Sequence, residues 1–420
     1  MHATVGILGF LAVSNVAHAA AKDECAGLTS LRLMDTTLTE AKTITAGDLS
    51  VPVPGPPGAA LAVKLPAHCR VTGSIKPTAD SDIRFELWLP TSGWNHRYEQ
   101  VGNGGLAGSI AYFSMVEPLL RGSATASTDD GHVAAAPFDG SWAIGHPEKL
   151  VDYGHRAVHL TALAAQAIVA AYYGGKARHT YFTGCSDGGR ESLMEAQRYP
   201  EDFDGYLVGA PGIDIPGNEL ALLHTWRALR SLQGDQALTP RHIESLTQKV
   251  LERCDSIDGI KDGVLQDPSR CDFKAIELVC KEANGAACLS RTQADAIQKI
   301  YDGPRVAATG QQLAPGAWGT LGAEATSWPA IYMDTPVGPS LIGFIARQGV
   351  INSDNPDLRL ARRSGKKILH FHGGPIRISR RNTRSTTSRR CRSAWAPTRA
   401  ISIACFWCPA WLTAPAALEP

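Results

Sequence analysis

Tyr181 to Gly205 reads YFTGCSDGGRESLMEAQRYPEDFDG, and the fold turns on how this stretch is read. Thr180–Thr183 has the β-branched and aromatic content of a short buried strand, Ser186 opens a turn, Glu191–Arg198 has helical spacing, and Tyr206–Ala210 is the next strand. Strand, helix and strand in immediate succession predict a parallel pair joined by a crossover helix. At the first strand-to-helix corner stands Gly184-Cys185-Ser186-Asp187-Gly188, a G-x-S-x-G pattern. In that frame the pattern predicts a nucleophile elbow, with glycines where side chains would strike neighbouring backbone. Ser186 would present its hydroxyl at the C-terminal edge of the sheet, at the dipole-positive start of the helix, with the Asp187 amide as one oxyanion donor. The competing reading, an ordinary Gly-Ser turn, does not account for the strand before it and the helix after it.

Working outward, Ser81–Pro90 alternates Ile83, Phe85, Leu87 and Leu89 on one face, the period of a half-buried strand. The loop Gly102-Asn103-Gly104-Gly105 follows, and Gly154–Tyr173 reads as a helix that Gly174-Gly175 ends. After Pro211 the rhythm is lost until Lys366–Phe371, which reads as a sheet strand again. These signals predict an α/β fold with a mostly parallel central sheet, its core running over residues 22–211 and returning at 358–373. An inserted lid domain over 212–357 accounts for the stretch between. No internal repeat is visible.

The 420 residues and 44% hydrophobic content support a large core and exclude a chain disordered throughout. The formal charge of +1 hides an imbalance, because residues 377–420 hold eight arginines and one acid, Glu419. The remainder is mildly acidic, which argues against a nucleic-acid partner. An apolar run from Val5 to Val16 followed by Ala17-His18-Ala19 predicts a signal peptide over residues 1–19 and a secreted chain. That run is too short to span a bilayer, so no membrane partner is expected. In an exported chain the ten cysteines point to disulfides. Their positions suggest the pairs Cys25 with Cys69, Cys254 with Cys271 and Cys280 with Cys288, although sequence alone leaves connectivity open.

The string GCSDGGRESLMEAQRYPEDFDGYLVGAPG resembles the signature of the tannase and feruloyl esterase family. So do CRVTGSIKPTADSDIRFELWLP, WNHRYEQVGNGGLAG, STDDGH and CDSIDGIKDGVLQDPSRCDF, collinear from about Cys25 to His372. The resemblance implies an α/β-hydrolase fold, a lid inserted after the strand that follows the elbow helix, and hydrolysis of aromatic-acid esters. It also implies a second oxyanion amide from the Gly104-Gly105 loop, assigned here to Gly105. In the acidic loop CDSIDGIKDGVLQDPSRC, closely spaced carboxylates and carbonyls supply the oxygens that calcium prefers, and Gly259 and Gly263 permit tight turns. By the resemblance, a structural Ca2+ would be held by the side chains of Asp255, Asp258 and Asp262 and the carbonyls of Ile260 and Val264. The competing reading is a solvated acidic loop held by its flanking cysteines.

A serine nucleophile needs a histidine to take its proton and a carboxylate to orient that histidine. The family carries its acid in a His-Gly-Trp-Ala-Asp-Pro string, and its histidine lies near the C-terminus beside a cysteine that bridges to the position of Cys185. This chain reaches Phe371-His372-Gly373 and then departs. No histidine follows His372, and Glu419 is the only carboxylate side chain after Asp357. Codons CAC GGC TGG GCC GAT CCG GAT ATC TCG CCG C encode the family string, and loss of the T of TGG yields the sequence from His372 to Arg381. Residues 374–420 are therefore expected to be an out-of-frame translation. A basic arm over Arg377–Arg399 and a redox or zinc role for Cys405-Phe406-Trp407-Cys408 both lack supporting context. Nor do His155, His159, His224, His242, His370 or His372 have a compelling carboxylate partner in sequence. The expected function is hydrolysis of a small aromatic ester by a secreted serine carboxylesterase, through an acyl-enzyme. The alternative is a catalytically dead, calcium- and disulfide-stabilised secreted binding protein.

Overall fold

The computed structural model describes residues 24–52, 60–134, 139–263, 265, 268–281, 287–314, 316, 324, 351–355 and 357–371. The proposed signal peptide, His372 and the tail 374–420 lie outside them, as do Val264, Asp267 and the side chain of Asp258.

The strands are β1 (Thr36–Ile44), β2 (Gly47–Pro52), β3 (Ala60–Leu65), β4 (His68–Ile75), β5 (Ile83–Pro90), β6 (Arg97–Val101), β7 (Ala124–Thr128), β8 (His179–Cys185), β9 (Gly205–Gly209) and β10 (Lys367–Phe371). The helices are α1 (Glu24–Gly27), α2 (Tyr112–Leu120), α3 (Pro147–Val151), α4 (Ala157–Tyr173), α5 (Asp187–Arg198), α6 (Ile215–Arg230), α7 (Pro240–Cys254), α8 (Arg291–Asp302) and α9 (Arg359–Arg363). Eight strands form one sheet in the order β1-β4-β5-β7-β6-β8-β9-β10, with β2 and β3 as a separate hairpin. From β7 to β10 every pairing is parallel, and β1, β4 and β5 add an antiparallel edge. The sheet thus has the mostly parallel α/β architecture that the strand–helix rhythm predicts.

Two local readings need correction. β5 is buried on both faces, since Glu86 and Trp88 are as buried as Phe85 and Leu87. The second face is covered by α2 and the hairpin, whose Met115, Val51 and Leu65 pack with Trp88. Glu86 tolerates burial because Arg70, the Trp88 indole and the Tyr112 hydroxyl all donate to its carboxylate. The elbow helix begins at Asp187 rather than Glu191. Gly188 and Gly189 have low intrinsic helix propensity, but tertiary packing overrides it. A Cβ on Gly189 would lie 2.2 Å from the Gly209 carbonyl oxygen, so only glycine lets α5 sit this close to β9.

α4 begins with a π-helical turn over Asp152–Arg156 and ends at Gly174, whose φ of 71° is the left-handed cap conformation. It packs on the sheet in a core that includes Phe85, Leu87, Ala162, Ile168, Phe182 and Val208. A second apolar cluster, drawn from Leu222 to Tyr301, lies wholly between β9 and β10 in sequence. Disulfides join Cys25 to Cys69, Cys254 to Cys271 and Cys280 to Cys288.

Candidate active site

Ser186 stands between β8 and α5 with φ 63° and ψ −114°, a backbone conformation that a non-glycine residue adopts only when its surroundings impose it. Three hydrogen bonds impose it here. The Ser186 amide donates to the Gly209 carbonyl at 3.0 Å, and the Ser186 carbonyl accepts from Gly212 at 3.1 Å and Arg190 at 3.2 Å. The residue is exposed at the C-terminal edge of the sheet. A Cβ on Gly184 would lie 2.2 Å from the Gly188 carbonyl oxygen, and one on Gly188 would lie 3.0 Å from that of Asn103. The outer glycines of the motif are thus required by the closeness of strand, helix and neighbouring loop.

The Gly102–Gly105 loop is fastened to this corner. Gly102 donates to the Thr183 carbonyl at 2.9 Å, and the Asn103 carbonyl accepts from the Gly188 amide at 2.8 Å. The Asn103 amide donates to Glu191 Oε2 at 3.2 Å, and its side chain donates to the Thr128 carbonyl at 2.8 Å. Beyond this anchor the loop is open. Gly104 is exposed with no heavy atom within 4 Å of a Cβ placed on it, and Gly105 has φ 64°. The loop and the first turn of α5 therefore flank Ser186, the disposition in which backbone amides can receive an oxyanion.

Beneath the serine lies a dense polar layer. Arg190 is completely buried and donates to both Asp187 oxygens, at 2.6 and 3.2 Å, and to the carbonyls of Gly154 and Tyr153. The Tyr153 hydroxyl also donates to Asp187, at 2.8 Å. The Asp187 side chain is thus held inward. Burial pushes the Asp130 carboxyl well up, and burial and Asp187 push Glu191 the same way. On α6, burial and then Asp187 raise Glu219 to about 8. His132 stacks on Trp142 at 3.6 Å, and burial lowers it to about 4 against the pull of the Leu106 and Asp130 carbonyls, which lie 2.8 and 3.3 Å from its two ring nitrogens. Trp142 and Tyr153 pack with Leu106, Ile215 and Leu223 into an apolar cluster beside the elbow.

Four of the histidines weighed from sequence are occupied elsewhere. His155 pairs with the Tyr199 hydroxyl, His159 with Asp202, His224 with the Lys299 carbonyl, and His242 caps α7. His370 lies on β10. Among the described residues, two groups of buried or half-buried side chains have the composition of metal ligands, His159 with Glu195 and Asp202, and Asp130 with Asp187 and Glu191. His159 Nδ1 lies 2.5 Å from Asp202 Oδ2, too close for both to bind one ion at about 2.0–2.2 Å in open geometry. In the second group Asp187 is already taken by Arg190 and Tyr153. Neither group has the signature of a resident metal.

In the acidic loop, Gly259 and Gly263 adopt φ 94° and 78°, the left-handed turns expected there. Asp255 is buried and accepts from the Gly263 amide on both oxygens, at 3.0 and 3.1 Å, which draws the loop round this carboxylate. Ile260 and Asp262 lie at the exposed rim. The described part of the loop, all hard oxygen donors on a tight turn, fits a calcium ion in kind.

A strained, exposed serine on a strand-to-helix corner of a mostly parallel sheet defines the α/β-hydrolase fold. The chain belongs to the tannase and feruloyl esterase family, whose pattern matches residues 69–339. It is 37% identical over 326 residues to an uncharacterized esterase of Xanthomonas campestris, covering 75% of this chain and 54% of the relative. It is 28% identical over 332 residues to a probable feruloyl esterase B-1 of Aspergillus flavus, covering 73% and 61%. The chain thus spans little more than half the length of these curated relatives. Its fold is that of feruloyl esterase B from Aspergillus oryzae, with TM-score 0.74 and 23% identity over 88% of this chain and 78% of that one. The tannin acyl hydrolase from Aspergillus niger is also similar, with TM-score 0.61 and 19% identity over 90% and 78%.

Sequence reasoning missed Arg190, Asp130 and Glu191. The signals were in view, since Arg190 and Glu191 adjoin the motif glycines and Asp130 sits in STDDGH, but nothing in a linear reading brings residues 130 and 191 together.

Proposed function

We propose that this chain is a secreted serine carboxylesterase acting on small esters of aromatic acids, feruloyl, galloyl or related, through an acyl-enzyme. The observation that carries the reading is Ser186, exposed at φ 63° between β8 and α5. Its Oγ attacks the ester carbonyl, forming a C–O bond as the carbonyl π pair moves onto oxygen, while the hydroxyl proton passes to a base and from it to the departing alkoxide. The amides of Asp187 and Gly105 receive that oxyanion, and its collapse expels the alcohol. Water then attacks the acyl-enzyme and releases the acid.

The proton acceptor and its orienting carboxylate belong to the reading frame that the change past Gly373 replaces. As written, with no histidine after His372, the chain favours a second reading, a binding protein that retains only oxyanion donors. Loss of triad members leaves residual catalysis several orders of magnitude below the intact site. Residues 212–357 form the lid over the acyl group. A structural calcium ion in the lid would be held by the carboxylates of Asp255, Asp258 and Asp262 and the carbonyls of Ile260 and Val264, and would stiffen the loop within the Cys254–Cys271 bridge. Export follows from the leader over residues 1–19 and suits three disulfides. Nucleic-acid and membrane partners are not part of this reading, and no described helix is long and apolar enough to cross a membrane.

The test compares the chain as written, a version with the single base restored after His372, and Ser186→Ala in each. Substrates are methyl ferulate, methyl gallate and a p-nitrophenyl ester. Ser186-dependent turnover in the restored chain is expected. Turnover there equal to its Ser186→Ala control overturns the esterase reading, and Ser186-dependent turnover in the chain as written overturns the binding-protein reading.

A further inference from the structure

Asp130 and Glu191 are a pair of carboxyl groups that no step above uses. Asp130 is completely buried, in the turn after β7, with the left-handed φ of 60°. Glu191 is equally secluded on α5. Among the described residues, neither Asp130 oxygen nor Glu191 Oε1 receives a hydrogen bond from an N–H or O–H donor. With Asp187, the two carboxyls place oxygens within 4.8 Å of one another. Three acids therefore share one buried cation, Arg190, whose guanidinium is committed to Asp187. Two further bare charges in that volume would be prohibitively costly, whereas one proton between Asp130 and Glu191 relieves charge and supplies the missing donor.

We propose that Asp130 and Glu191 share a proton, and that this proton latches the Gly102–Gly105 loop to the nucleophile helix, making both of them positioning residues for the oxyanion site. The proposal extends the esterase reading of Ser186 but is testable apart from it. Glu191 Oε2 accepts from the Asn103 amide while the Asn103 carbonyl accepts from Gly188, and the Asn103 side chain reaches the Thr128 carbonyl beside Asp130. With the proton in place, loop, turn and helix form one closed ring of hydrogen bonds. When hydroxide removes it, two facing carboxylates repel across that ring, and the loop is the exposed member free to give way.

Other titratable groups face the pair. Asp187, Arg190 and Glu195 lie on α5, and through Asp187 the layer extends to Tyr153 in the π-helical turn, His132 in the turn after β7 and Glu219 on α6. Glu191→Gln isolates the pair from all of them, because its amide donates to Asp130 and accepts from Asn103 with no proton to lose. Asp130→Asn does the same from the other side.

The experiment follows wild type, Glu191→Gln and Asp130→Asn from pH 5 to 10 by thermal unfolding and by amide exchange of residues 102–105, corrected for intrinsic base catalysis. Wild type is expected to lose melting temperature and loop protection relative to Glu191→Gln as pH rises past the ordinary carboxylate range, with the variant flat by comparison. Where Ser186 is labelled by a fluorophosphonate, the wild-type to variant rate ratio falls by about tenfold or more, given the weight of one oxyanion donor. Parallel pH profiles in wild type and Glu191→Gln overturn the proposal. If Glu191→Gln fails to fold, Asp130→Asn decides by the same criterion, and failure of both to fold also overturns it, since either amide should replace the shared proton. A pH-dependent latch with no labelling at any pH upholds the proposal and counts against the esterase reading instead.

Discussion

Replacing Gly184 by alanine tests whether close backbone packing shapes the elbow. The added Cβ would lie 2.2 Å from the Gly188 carbonyl oxygen, 2.3 Å from its carbon and 2.6 Å from its Cα, where ordinary contact begins at 3.4 Å. Strand and helix would have to part by about 1 Å. Neither can do so freely, because Gly188 is bonded to Asn103, and Ser186 to Gly209 and Gly212. Overpacking a tight site costs about 1–3 kcal/mol, and the clash here is with backbone that has no rotamer to change, so the upper end, about 3 kcal/mol, is expected. For a chain this size that is on the order of 5 °C in thermal midpoint. Gly104→Ala is the matched control, since its Cβ meets nothing within 4 Å and should change stability by less than about 0.5 kcal/mol. Circular dichroism melts and urea titrations of both variants beside wild type give the comparison. Coincident midpoints for Gly184→Ala and Gly104→Ala would show that the elbow yields easily and that the glycine spacing has another origin.

Arg190→Met should destabilise the fold by about 3–5 kcal/mol, because it strands the Asp187 carboxylate in the core. A urea midpoint within experimental error of wild type refutes this. His132 is held to about 4 by burial, below its unfolded value of 6.5, so its contribution is fully present above pH 6.5 and is lost as pH falls toward 4. That difference amounts to about 3 kcal/mol at most. An NMR titration should find its ring neutral at pH 5, and an inflection near 6.5 contradicts the assignment. Opening the Cys254–Cys271 bridge with paired serines should cost about 3 kcal/mol by chain entropy. If calcium occupies the Asp255 loop, a chelator should lower the wild-type melting temperature and lower that of Asp255→Asn much less, so equal responses would remove the metal from the account.

Much of the site was legible in the linear chain because its chemistry is local. An elbow is a strand that turns into a helix through one residue, and the glycines on either side of Ser186 state how closely those elements pass. The pairs Cys254–Cys271 and Cys280–Cys288 close loops of 17 and 8 residues, so proximity in sequence foreshadowed proximity in space. Tertiary structure alone decided the rest. Whether β5 buries one face or two depended on a hairpin and a helix from elsewhere in the chain, and α5 starts at Asp187 because packing on β9 outweighs the low helix propensity of two glycines. The meeting of Asp130 with Glu191 comes from the sheet order, which brings the turn after β7, the loop after β6 and the helix after β8 to one edge. Burial of a charge is a property of everything packed round it, and no stretch of sequence carries that information by itself.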